Sequence, residues 1–238
     1  MSDLSYTAIA SLDGYVADEG GDFEWAAPDA EVHSFVNELQ RGVGTYLYGR
    51  RMYEVMRFWE TAEAIAGLSA AERDYTEIWR SAQKIVYSTT LSATPAGAPD
   101  ATPTETSTGM PTGTAAGTSA GTPTGTPTAT TPGTGGWIST ARTRLEREFD
   151  IDAIRRLKES ESQEISIGGP RLASQAIRSG LVDQFHLFLN PVLVGGGIRA
   201  LPDGVTLNLE LLDEHRFRNG VIYLHYRQAA PTGGGALQ

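Results

Sequence analysis

The sequence predicts an α/β domain built on a mostly parallel sheet that ends in an antiparallel hairpin, and three observations carry that prediction. Strand-like and helix-like runs alternate over most of the chain, the pattern of parallel strands joined by crossover helices. Near the carboxyl end the order changes. Two stretches, residues 210–218 and 221–228, flank Asn219-Gly220, a dipeptide suited to a tight type I′ turn between antiparallel strands. Between these parts, residues 92–136 consist of Thr, Pro, Gly, Ala and Ser, interrupted only by Asp100, Glu105 and Met110. That segment holds seven of the twelve prolines and offers almost no apolar surface. Ordering it would cost about 1 to 2 kcal/mol per residue with nothing to offset the loss. The organisation that follows is a single domain made of residues 1–91 and 137–228, a disordered insertion at 92–136 and a flexible tail at 229–238.

Each element has its own signal. SYTAIAS (5–11) reads as the first strand, and DAEVHSFVNELQ (29–40) spaces Val32, Phe35, Val36 and Leu39 at helical intervals behind an acidic first turn. VGTYLYG (43–49) is a second strand running into a short helix, RRMYEVM (50–56). The amphipathic SAAERDYTEIWRSA (69–82) precedes a third strand, KIVYST (84–89). Beyond the insertion come a helix, DIDAIRRLKE (150–159), a strand, EISIG (164–168), and a helix, PRLASQAIRSG (170–180), which Gly180 stops. VDQFHLFLNPVLVGGG (182–197) reads as one long strand carrying Pro191.

Composition excludes several functions. No window approaches eighteen apolar residues and the amino terminus lacks a basic segment followed by an apolar run, so a soluble, cytoplasmic protein without a membrane partner is expected. The absence of cysteine removes disulfides, zinc-thiolate sites and thiol nucleophiles. His33, His186, His215 and His225 show no ligand spacing, so no metal is expected. A net charge of −10 argues against nucleic acid as a partner and requires that any anionic ligand be held by a local cluster.

Such clusters occur at three strand ends, where open α/β sheets bind ligands. Gly168-Gly169 lets backbone approach a phosphate, and Pro170 suits the first helical position because its missing N–H would be unpaired there. The same pair also makes an ordinary turn, and it lacks the spacing of a dinucleotide fingerprint. Gly49-Arg50-Arg51 places two guanidinium groups where cations oppose the helix dipole, so an anion should compensate them. Ser88, Thr89 and Thr90 offer hydroxyls that bind a ligand or cap a turn equally well. Asp13 and Asp29 are the candidate catalytic acids, with Asp13 suited to substrate positioning; as a turn residue and an N-cap they also have ordinary structural uses. Trp25 and Trp59 could stack on a flat substrate or pack in the core.

Five stretches, SLDGYVAD (11–18), YGRRMYE (48–54), KIVYSTTL (84–91), SIGGPRLASQAI (166–177) and GLVDQFHLFLNPVLVGGG (180–197), together resemble one family. It is the dihydrofolate-reductase-like reductase of riboflavin biosynthesis, the RibD C-terminal domain. The resemblance implies a three-layer α-β-α fold and NADPH as cofactor, with Gly168, Gly169, Pro170, Arg171 and Leu172 toward the pyrophosphate. Arg50, Arg51 and Ser88 would face the 2′-phosphate, and Gly49 and Thr89 complete the cofactor-binding residues. It also implies a small-molecule substrate and a homodimer. The chain departs from the family at Met52, where a Thr is usual, and lacks the family's deaminase half. The expected function is hydride transfer from NADPH to a small heterocyclic, carbonyl or imine substrate. The first candidate is 5-amino-6-(5-phosphoribosylamino)uracil. The alternatives are a non-catalytic nucleotide-binding protein and a dihydrofolate reductase, the latter disfavoured by the carboxylate spacing in EWAAPDAEVHS (24–34).

Overall fold

A computed structural model describes residues 1–64, 67–93, 137–138 and 140–229. In chain order the elements are β1 (Leu4–Ser11), β2 (Tyr15–Ala17), α1 (Ala30–Gln40), β3 (Val43–Gly49), α2 (Arg50–Met56), α3 (Ala70–Ser81), β4 (Gln83–Tyr87), β5 (Ser92–Ala93), β6 (Trp137–Ile138), β7 (Thr143–Glu146), α4 (Ile151–Ser160), β8 (Glu164–Gly168), α5 (Pro170–Arg178), β9 (Gln184–Asn190), β10 (Ile198–Arg199), β11 (Leu209–Arg216) and β12 (Ile222–Gln228).

Eight strands form the central sheet in the order β11-β12-β9-β1-β8-β3-β4-β7. The pairs from β9 to β7 are all parallel, while β12 runs antiparallel to both β9 and β11. Parallel crossovers therefore bring β1 and β8, far apart in sequence, side by side at the centre. Leu4, Tyr6, Ala8, Ala10, Leu47, Ile85, Ile165 and Ile167 point to one face, against Ile154 of α4 and Leu172, Ala173, Ala176 and Ile177 of α5. Alanines at 173 and 176 let α5 lie close to the strands, and each buried Leu or Ile there contributes about 1.5 to 3 kcal/mol. The opposite residues, Tyr46, Tyr48 and Val86, meet Tyr53, Tyr75 and Trp79 of α2 and α3. Farther along that face, α1 packs Val32 and Phe35 on Phe188, Phe217 and Tyr223. The result is a sheet between two helical layers, as the sequence predicts.

Three expectations are corrected. The stretch 182–197 is not one strand: β9 ends at Asn190, because Pro191 has no N–H for the ladder. The following loop leads to β10, which pairs with β2 in a small sheet. The hairpin turn is not type I′. Gly220 N–H donates to Phe217 O at 3.1 Å and Phe217 N–H to Val221 O at 2.9 Å, which gives a three-residue loop. Gly220 alone takes positive φ, +90°, while the Asn219 side chain accepts from Val221 N–H at 3.0 Å. The segment read as insertion begins as strand: Ser92–Ala93 pairs in parallel with Trp137–Ile138. The rest of the insertion and the tail from residue 230 lie outside the described residues. β7, an edge strand with alternating partial burial, went unread in the sequence.

Candidate functional site

The parallel strands β3, β4, β7 and β8 end along one edge of the sheet, and a cleft of about 600 Å³ opens there. It is lined by Gly49, Arg50, Tyr87, Ser88, Thr89, Thr90, Arg147, Glu148, Phe149, Arg171, Leu172 and Gln175. Of the residues singled out in the sequence, Gly49, Arg50, Ser88, Thr89, Thr90, Arg171 and Leu172 come together in it. Three arginines converge on one cleft in a chain of net charge −10.

They are not equivalent. Arg50 Nε donates to Glu54 at 2.7 Å and its Nη1 to Thr90 Oγ1 at 2.7 Å. The i,i+4 ion pair with Glu54 thus supplies part of the negative charge that a cation at this helix start requires. Arg147 Nη1 donates to the carbonyls of Ser88 and Leu91, at 3.0 and 2.7 Å, so it pins the loop after β4. Arg171, exposed at the second position of α5, has no hydrogen-bond or ion-pair partner among the described residues. Its guanidinium is the one best placed for an incoming anion.

Arg51 is exposed but does not line the cleft, so the expected Arg50-Arg51 pair is not what the fold presents. The partner of Arg50 comes instead from α5 and from the loop after β7. Adjacent residues at a helix start point about 100° apart, which separates the two guanidiniums. Ser88 also has a structural use: its hydroxyl accepts from Thr90 and Leu91 N–H at 3.2 and 3.1 Å, a turn cap.

Gly168 and Gly169 stand at the end of β8 beside the cleft. A Cβ on Gly168 would lie 2.8 Å from the Tyr48 ring, and one on Gly169 would lie 3.1 Å from Met52 Cβ. Gly169 takes φ +89° and leaves α5 without a side-chain cap, with Pro170 at its first position. Close packing by Tyr48 and Met52 therefore explains both glycines, and the uncapped helix start that they create has free N–H groups for an anion.

The candidate acids are engaged elsewhere. Asp13 Oδ1 and Oδ2 accept from the N–H groups of Val194 at 3.2 Å and Gly195 at 2.7 Å, tying the loop after β9 to the end of β1. The Ser11 hydroxyl foremost holds the Asp13 carboxyl below its ordinary value, and against the opposing effect of desolvation these N–H groups add to that lowering. Asp29 Oδ1 caps α1 by accepting from Val32 N–H at 2.9 Å. Trp59 packs edge-on to Tyr75 at 4.9 Å and to His33 at 6.0 Å between α1 and α3. Trp25 is half-buried in a 3-10 turn, Glu24–Ala26, and its indole N–H is buried without a partner among the described residues.

Tyr87, Arg147, Glu148, Phe149 and Gln175 were not legible as site residues. Gln175 was within reach, because it sits one turn beyond Arg171 on the same helix face. The others follow β4 and the unread β7. Tyr87 and Phe149 meet edge-to-face at 5.3 Å, and burial pushes the Tyr87 phenol up to about 12, so it stays neutral in the cleft.

The model of the family described as the RibD C-terminal domain matches residues 3–223. The chain belongs to that family. A putative riboflavin biosynthesis protein from Shewanella sp. PV-4 superposes with a TM-score of 0.57 at 17% identity, covering 97% of this chain and all (100%) of the other. The diaminohydroxyphosphoribosylaminopyrimidine deaminase/5-amino-6-(5-phosphoribosylamino)uracil reductase of Thermotoga maritima gives a TM-score of 0.54 at 14% identity, with 96% and 57% covered. Dihydrofolate reductase from Enterococcus faecalis, complexed with NADP(H), gives 0.51 at 11%, with 96% and 97% covered. At these identities the solved structures establish a shared fold. In this RibD C-terminal domain the cleft lies at the carboxyl ends of the strands. The described residues contain no cluster of His, Asp or Glu able to hold a metal and no helix long and apolar enough to cross a membrane.

Proposed function

We propose that this chain is an NADPH-dependent reductase of a small heterocyclic, carbonyl or imine substrate, acting in the cytoplasm. The ribosylaminopyrimidine named for the Thermotoga relative is the first candidate. The observation that carries this reading is the cationic cleft, where Arg50, Arg147 and Arg171 surround the uncapped start of α5 in an otherwise acidic protein. The donor set fits a phosphorylated dinucleotide. The α5 N–H groups and Arg171 suit the pyrophosphate or the 2′-phosphate, and the Tyr87-Phe149 pair offers an aromatic wall for a base.

A bound dihydronicotinamide would supply the hydride. The protein's part is to orient the reactants, because hydride transfer needs alignment more than a nucleophile. Asp13 ties the loop after β9 to the end of β1 and Asp29 caps α1, so both carboxylates have structural uses. Arg147 acts indirectly by holding the Ser88–Leu91 loop in the shape that Arg50 and Thr90 complete.

Titration of the full chain with NADPH and NADH tests the reading. NADPH is expected to bind about ten- to a hundredfold tighter, the value of one charge-assisted contact to the 2′-phosphate. Arg171→Ala should remove most of that preference and Arg51→Ala little of it. Equal affinities in the unsubstituted protein would overturn the assignment. The engagement of both carboxylates favours one second reading, a nucleotide binder without turnover. Oxidation of NADPH in the presence of the ribosylaminopyrimidine, dihydrofolate or simple carbonyls separates the two. Tight binding with no substrate reduced would select the binder, and robust dihydrofolate turnover would select a dihydrofolate reductase.

A further inference from the structure

A second group of charged side chains lies outside the cleft, at the opposite ends of β4 and β7. A pocket of about 400 Å³ opens there between the carboxyl end of α3, the 3-10 turn Arg57–Glu60 and the loop that enters β7. Glu60, Glu77, Arg80, Ser81, Ala141 and Arg142 line it. Lys84 stands beside it at the start of β4, four residues of extended chain, or about 13 Å, from Ser88 in the cleft.

Three features of this pocket go beyond what packing requires. Arg142 has φ +52° and is the one residue other than glycine with positive φ among the described residues. That conformation costs a residue with Cβ about 1 to 2 kcal/mol and persists only where surrounding contacts impose it. Here the Arg142 carbonyl accepts from Lys84 N–H at 2.8 Å and its Nη1 donates to Ser81 O at 3.1 Å, which holds the exposed guanidinium at the end of α3, on the pocket wall. The second feature is Glu60. Its Oε1 accepts from Ala141 N–H at 3.1 Å, whereas its Oε2 is buried with no partner among the described residues. A buried acceptor in that state costs about 1 to 3 kcal/mol until a donor reaches it. The third is Lys84, 1% exposed, whose ammonium donates to Trp79 O at 3.1 Å and lies 4.2 Å over the Trp79 ring. Burial foremost brings it down to about 8 against the pull of Glu60, and Arg142 and Arg80 push it further.

These charges narrow the chemistry of a ligand. Arg80, Arg142 and Lys84 repel a metal cation and attract an anion, which would also relieve the repulsion that Lys84 feels from the two arginines. A fully ionised anion would meet the Glu60 and Glu77 carboxylates. An anion that keeps a proton of its own satisfies both sets, because it accepts from the arginines and donates to a carboxylate. At neutral pH hydrogen phosphate has that proton, and sulfate and simple carboxylates do not.

We propose that this pocket is a second anion site that takes inorganic phosphate in a protonated form, with its oxygens on Arg80 and Arg142 and its hydroxyl donated to Glu60. The chain has two lysines, Lys84 and Lys158, so side-chain NMR of the lysine-labelled full chain follows Lys84 directly, with Lys158 as an internal control. At constant ionic strength, millimolar phosphate should move the Lys84 midpoint up from about 8 toward the ordinary lysine value of about 10.4 and leave Lys158 in place. Sulfate should move neither. Arg142→Gly relieves the backbone strain, so a purely structural arginine predicts an intact fold and an unaltered phosphate response. The proposal predicts an intact fold and phosphate binding about ten- to a hundredfold weaker. Glu60→Gln keeps an acceptor for Ala141 N–H and puts an amide donor where the second oxygen stood, so it should admit sulfate as well as phosphate. Arg171→Ala, which acts on the cleft, should leave the Lys84 response unchanged; its loss there would assign the phosphate to the cleft and overturn the proposal. So would a Lys84 midpoint in the unsubstituted chain that ignores phosphate or responds equally to sulfate, a readout that holds even if the variants fail to fold.

Discussion

Gly169 holds φ +89° between β8 and α5, a conformation that costs a residue with Cβ about 1 to 2 kcal/mol, and Met52 closes the space a side chain would need. Gly169→Val should therefore lower the melting temperature by roughly 2 to 8 °C and abolish NADPH binding, since the N–H groups of the α5 start would be re-aimed. A folded variant with unchanged NADPH affinity would reduce this junction to a turn. His186 makes a separate prediction. It is 3% exposed, its Nδ1 bonds the Tyr223 hydroxyl at 2.8 Å and its ring stacks on His225 at 4.3 Å. Burial, reinforced by His225, pushes its pKa down to about 4. The unfolded chain then binds the extra proton between the ordinary histidine value of about 6.5 and this lower one, so stability falls as the pH drops through that window and levels off below it. The loss should approach about 3 kcal/mol, and His186→Gln should flatten the slope by up to one proton in denaturant titrations at stepped pH. An unchanged slope in that variant would show the ring to be charged in the fold.

At the scale of elements, the helices were legible from their period, and α1, α3 and α4 also from their caps. Asp29 caps α1, and Ser69 with Glu72 forms a capping box on α3. The edges of the sheet were less so. TRLE (143–146) is short and only half-buried, and it becomes a strand because β4 offers it a parallel partner, Lys84 opposite Thr143. With β7 unread, Arg147, Glu148 and Phe149 could not be placed at a strand end. The Ser92–Ala93 and Trp137–Ile138 pair closes the root of the low-complexity segment against the sheet. Replacing residues 94–136 by a short Gly-Ser linker should leave fold and nucleotide binding intact, since halving a loop changes its closure entropy by only about 0.6 kcal/mol. A melting point lower by many degrees, or lost NADPH binding, would show that the segment packs on the domain.

For the molecule as a whole, a ligand that binds only the folded state must stabilise it. NADPH at a hundred times its dissociation constant should add about 2.7 kcal/mol, or roughly 5 to 10 °C in melting temperature for a chain of this size. NADH at the same concentration should add less, and no shift with either would exclude the cleft as a nucleotide site. By itself, the sequence determined the helices, the central strands and the class of the fold. Periodicity, caps and turn residues act within a few positions of themselves, and a strand such as EISIG must be buried wherever it lands. It also picked out the ends of β3, β4 and β8 as candidate ligand-binding positions, because a parallel sheet aligns those ends whatever their order. Only the tertiary structure decided which arginines face each other. Arg51 follows Arg50 in the chain yet misses the cleft, whereas Arg147 and Arg171 reach it from elements far away in sequence. It also decided that Asp13 is spent on the loop after β9, 181 and 182 residues away. Contacts of that range depend on strand order, which no local pattern encodes.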